Sequence, residues 1–194
     1  MATFPFEMLA NPVSEAEPCG PDLDLAGDAE FYSFTARAEG ILPTSYFAFD
    51  RNSVDFPAEL KTLAALLKRS RDVRLLVILA KYSILDRDLK AFHAAVEAMR
   101  SLLREHWDLV HPQPTDGDHI MRVVTLQRLD DQPDTILPLE SATLFQTRRF
   151  GRVTYRSHQL STGKAIPRSG DGEGEEGERV PTPNDLRIAV DETD

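Results

Sequence analysis

Arg71-Asp72-Val73-Arg74-Leu75-Leu76-Val77-Ile78-Leu79-Ala80-Lys81-Tyr82-Ser83-Ile84-Leu85 is the stretch that decides the fold. From Leu75 to Ala80 it is apolar without a break. Wound as a helix, such a run is apolar nearly all round and has to lie at the centre of its domain. It is far too short to cross a bilayer. Its neighbours must therefore supply the shell.

Both neighbours read as helices. Upstream, a helix is expected from near Phe56, with Pro57 in its first turn, to about Arg69, placing Leu60, Leu63, Ala64 and Leu67 on one face. Downstream, a helix is expected after Asp86 as N-cap, ending near Trp107. Its apolar positions Leu89, Phe92, Val96, Met99, Leu103 and Trp107 recur every three or four residues. His111-Pro112-Gln113-Pro114 breaks that helix. A further one fits Asp118 to Leu129, with Ile120, Val123, Val124 and Leu126 as its buried face. Short connections between such helices favour antiparallel neighbours.

Outside this block the pattern changes. Residues 1–27 carry Pro5, Pro12, Pro18 and Pro21 among scattered apolar residues, which reads as an extended lead-in laid over a hydrophobic surface. A short helix is expected from Asp28 to Ala38, with Gly40 as its stop, followed by a loop bearing Tyr46, Phe47 and Phe49. Residues 143–156 mix β-branched and aromatic residues around Gly151, as a short hairpin would. The fold class expected is thus mainly α: an antiparallel helical bundle with a hairpin-like segment near 143–156 and an extended N-terminal lead-in.

Three domains of the chain are expected. Residues 1–167 form the helical body. Residues 168–180, rich in Gly and Glu, form an acidic disordered linker. Residues 181–194 open a following helical region, with Thr182 as cap and Pro183 in first position, which is cut short.

Charge and cysteine usage narrow the function. The net charge is −10 over 194 residues, and the last 27 residues hold nine acids against three bases. A mildly acidic body argues against a general nucleic-acid binder. The single cysteine, Cys19, forms no internal disulfide, and no signal peptide is apparent, so a cytoplasmic location is expected.

No catalytic pattern emerges. His106 and His111 flank Trp107 but stand five residues apart, on different sides of a helix, so they read as a helix stop and not as a metal pair. Cys19 sits in the turn Pro18-Cys19-Gly20-Pro21 without a neighbouring base. No metal, cofactor or catalytic residue is expected. The basic patch Arg148, Arg149 and Arg152, with the aromatic loop Tyr46, Phe47 and Phe49, is the candidate protein-binding surface, since exposed aromatics and Arg are favoured at interfaces.

Four segments taken in order resemble the N-terminal domain of the ImpA family of bacterial type VI secretion. They are Pro18-Cys19-Gly20-Pro21-Asp22-Leu23, Leu66 to Arg74, His106-Trp107-Asp108-Leu109-Val110-His111-Pro112, and Pro138-Leu139 onward to Arg156. The resemblance spans about residues 12–165. Phe56 stands where the family often has tryptophan. The resemblance implies a non-enzymatic assembly factor that binds baseplate, sheath and tube proteins to prime or coordinate tail assembly. It further implies no direct membrane insertion, and homo-oligomerisation through a C-terminal region absent here. A protein-binding adaptor or tail-anchoring relative using the same domain is the alternative. Cys19, Gly20, Asp72, Arg74, Trp107, His111 and Pro112 are expected to be scaffold residues.

Overall fold

The computed structural model describes residues 4–147, 151–166 and 182–191. These fall into two compact units, Met1–Ile136 and Leu137–Asp194.

In the first unit, Asp28 caps α1 (Ala29–Ile41) by accepting from the Phe31 amide. The helix runs through Gly40, where the sequence suggested a stop. It ends instead because Leu42 precedes Pro43 and is held extended. Asp55 caps α2 (Phe56–Arg69), Asp72 caps α3 (Val73–Leu85), and Asp88 caps α4 (Leu89–Glu105). Asp86, the expected cap of α4, instead terminates α3 and pairs with Arg51 at 2.5 Å. Between them Arg87 takes a positive φ of 63°, which turns the chain so that Asp88 meets the next helix.

α3 is buried along almost its whole length and packs against α2, α4 and α5 (Ile120–Gln127). That is the arrangement its uninterrupted apolar run requires. Tyr82 on α3 meets Phe34 of α1 and Phe56 of α2 edge-on, at 6.5 and 5.7 Å between centroids, tying three helices together. On α4 the buried centre is Ala95, Met99 and Leu102, with Phe92 and Leu103 packed at its margin. The lead-in is less extended than expected. Phe6–Ala10 closes a 3₁₀ turn whose Leu9, with Phe4, enters the core.

The second unit holds α6 (Leu137–Ser141), the antiparallel strands β1 (Thr143–Thr147) and β2 (Gly151–Thr154), α7 (Tyr155–Ser161) and α8 (Pro183–Asp191). The hairpin falls where β-branched residues suggested it. α7 was not foreseen. Thr154 and Ser157 form a reciprocal capping box that ends the strand and starts this helix. Thr182 and Asp185 exchange side-chain and backbone bonds at the start of α8, as its expected cap requires. The expected acidic linker lies outside the described residues.

Candidate functional site

The polar residues of the first unit converge on the turn between α2 and α3. The helix ends there at Arg69, and Ser70 and Asp72 are extended before α3 begins. The Val73 amide donates to the His111 carbonyl (2.8 Å) and the His111 amide to the Arg71 carbonyl (3.0 Å), a one-residue parallel bridge between distant segments. On the other side the Arg71 amide donates to Cys19 O (2.7 Å), and the Ser70 hydroxyl to Pro21 O (2.7 Å). One extended turn thus holds both the lead-in and the 106–112 corner.

Gly20 is fitted to this crossing. Its φ is +66°, and a Cβ there would lie 2.2 Å from the Arg69 carbonyl oxygen, so neither the backbone conformation nor the space admits a side chain. Its own carbonyl lies 2.8 Å from His111 Nε2. Cys19 beside it is buried, and burial raises its thiol pKa.

Charge fills the same region. Asp72 is fully buried and binds the Arg74 side chain (Nε at 3.0 Å), which also reaches Asp22 (3.1 Å) and Asp24 and lies over the Phe31 ring. Burial works against the Arg74 cation, but the hydrogen bonds and charge of Asp72, then Asp24, outweigh it and raise its pKa. The Asp22, Asp24 and Asp72 carboxylates are therefore occupied by a guanidinium. Among the described residues no group of three or more His, Cys, Asp or Glu is placed to hold a metal.

Two buried arginines bond carbonyls instead of carboxylates. Arg71 donates to Leu67 O, Met8 O (2.9 Å) and Asn11 O (2.8 Å). Arg122 donates to Pro112 O (2.7 Å), Val110 O (2.5 Å) and Trp107 O, with its guanidinium 4.8 Å from the Trp107 ring. Burial lowers the pKa of both. The third buried cation, Lys81, takes Asp131 (2.7 Å) and Asp134 (2.9 Å). Burial raises the Asp134 pKa, and the neighbouring ammonium offsets this only in part.

Arg122 overturns one expectation. Ile120, Val123 and Val124 were assigned to the buried face of their helix. Instead α5 buries Arg122 and Thr125 and leaves Ile120, Met121, Val123 and Val124 about half exposed. The cause is the corner before it. α4 ends at Glu105, and the turns through Pro112 leave carbonyls without helical donors. A guanidinium with five donors satisfies three of them at once, which fixes the rotation of α5. The exposed apolar residues span about 160° of arc at 100° per residue. The Trp107 ring, 43% exposed and 5.0 Å from His119, stands next to them.

The scaffold residues inferred from sequence are therefore placed together. Cys19, Gly20, Asp72, Arg74 and His111 form one network, and Trp107 and Pro112 join it through Arg122. Arg122 and Lys81 were missed; their only signal was a long cation on an otherwise apolar helix. Of the inferred binding surface, Phe47 is 69% exposed with Tyr46 edge-on to it at 5.7 Å, whereas Phe49 packs against the core. Arg152 is exposed and donates to the Thr143 hydroxyl (3.0 Å). Arg148 and Arg149 lie outside the described residues.

What these residues define is a helical domain whose buried polar groups serve the crossing of chain segments and whose α5 leaves apolar groups exposed. The chain belongs to the ImpA N-terminal family of the type VI secretion system, which it matches over residues 10–131. Among solved structures it is similar to the N-terminal domain, including the conserved ImpA_N region, of the TssA component of that system from Burkholderia cenocepacia. The TM-score is 0.59 at 20% identity, covering 96% of this chain and 70% of that one, and the likeness is one of fold. No curated protein matches the chain. Among the described residues no helix is long and apolar enough to cross a membrane.

Proposed function

We propose that this domain is a non-enzymatic, cytoplasmic assembly component of the type VI secretion machine, binding baseplate, sheath or tube proteins so that tail assembly is primed or coordinated. Family membership supports the system. The observation that carries protein binding is α5, which turns its apolar residues to solvent beside a half-exposed tryptophan. A contiguous apolar face on a soluble domain marks a contact surface. The aromatic turn at Tyr46 and Phe47, and Arg148, Arg149 and Arg152, remain a second proposed contact.

The test is affinity capture on the immobilised full chain from lysate of the cells that make it, compared with the Met121→Glu/Val123→Asp double variant. Enrichment of baseplate, sheath or tube proteins on the wild-type chain, lost from the variant, is the expected result. Their absence from a folded wild-type bait would overturn the reading.

A further inference from the structure

α2 carries a groove of about 370 Å³ along its outer side. It is lined by the buried Phe4 and Ala64, the half-buried Leu60 and the exposed Ala65, with the exposed Lys61 and Lys68 along one side. The two lysines are seven residues apart, so they share nearly one angular position and lie about 10 Å apart along the helix axis. The alanines between them leave room for a second backbone to approach to helix-packing distance.

The charges of α2 are not treated alike. Glu59 pairs with Arg37 at 2.8 Å, and Arg69 with Asp28 and Glu30. Lys61 and Lys68 are exposed and hold no ion pair among the described residues. Two cations without an ion pair give the edge of this apolar groove a positive charge. A hollow sharing Pro57 and Leu60 continues the groove toward the N-terminus of α2.

We infer that this groove docks an acidic amphipathic helix of a partner protein, one with apolar residues at helical spacing and carboxylates two turns apart that meet Lys61 and Lys68. The apolar face would lie along the groove beside the lysines, whose stems widen it while their ammonium groups stay at the rim. This deepens the protein-binding reading above and rests on it.

The test uses the full chain and two labelled peptides of about 18 residues, long enough to form helix on docking. Both carry leucines at i, i+3, i+4 and i+7; one is flanked by glutamates, the other by lysines at the same positions. Fluorescence anisotropy is expected to show saturable binding of the glutamate peptide, at least about tenfold tighter than the lysine peptide and weakened by salt. Lys61→Glu/Lys68→Glu should reverse that preference while melting within about 5 °C of the wild type, the side chains being exposed and Lys68 lying in the last turn of α2. Ala65→Trp, which fills the groove, should abolish binding of either peptide. Equal binding of the two peptides, or an unchanged preference in the double variant, overturns the inference. So does binding that appears only after removal of Met1–Thr3, since the groove would then belong to the chain's own terminus. The two readings separate cleanly. Capture of secretion components that survives Lys61→Glu/Lys68→Glu sinks the groove and leaves the function standing. Peptide binding without such capture does the reverse.

Discussion

Replacing Arg122 with Met should destabilise the domain by about 3 kcal/mol. Met keeps the apolar stem and removes the guanidinium. Three carbonyls, of Trp107, Val110 and Pro112, then lose their donor. A buried acceptor left unmade costs roughly 1–3 kcal/mol. Against that stands relief, since the native fold holds this cation buried at 1% exposure and its pKa is lowered for that reason. Taking the middle of the range for each of the three acceptors and about 3 kcal/mol for the relief gives the figure stated. For a chain of this size it corresponds to a fall in Tm of about 6–12 °C. Trp107 is the only tryptophan and lies 4.8 Å from the guanidinium, so urea unfolding followed by its fluorescence reports on the affected corner itself. Arg122→Lys, which supplies donors without the planar fork, should fall between the two. A loss below about 1 kcal/mol in Arg122→Met would refute the claim that these bonds set the rotation of α5.

Gly20→Ala should cost more than Gly27→Ala. Both have positive φ, worth about 1 kcal/mol, but only Gly20 faces a backbone oxygen at 2.2 Å, so thermal melts should separate them by several degrees. Lys81→Met leaves Asp134 buried without its cation and should cost about 3 kcal/mol by urea titration; Lys81→Met/Asp134→Leu should recover at least half. Asp28 is held below the usual carboxylate range by the Phe31 amide and then by Arg69. A depressed carboxylate contributes stability above its unfolded pKa and loses it as pH falls through the folded one. Asp28→Asn, which can still cap α1, should therefore flatten the acid limb of the Tm profile below about pH 4. Phe47→Ala, at an exposed position, should leave Tm within about 2 °C, and Phe47→Ala with Arg149→Ala should reduce retention of secretion components in the capture assay.

The helices of the first unit were legible because their signals are local. Asp28 is a cap that touches the next turn, and the Leu75–Ala80 run demands burial wherever it lies. The face of α5 was not legible. Its apolar residues are spaced as a core face would be, and what overrides them is a need created ten to fifteen residues earlier, at carbonyls that no side-chain pattern reports. The α4 cap was misread for a similar reason. Asp86 and Asp88 are equivalent by composition, and the positive φ at Arg87 chooses between them. The candidate surface was half legible: Phe47 is exposed as an aromatic in a loop suggests, while Phe49, two residues on, is spent on the core.

The carbonyl-bonding arginines bear on how such a domain can change. Every residue offers a backbone carbonyl, whatever its side chain. Met8, Asn11 and Val110 serve Arg71 and Arg122 through their carbonyls, so those bonds do not depend on which side chains the three residues carry. The route of the chain is thereby separated from the identity of the residues that travel it. Contact surfaces can then be rewritten for a new partner while two buried cations keep the path beneath them fixed.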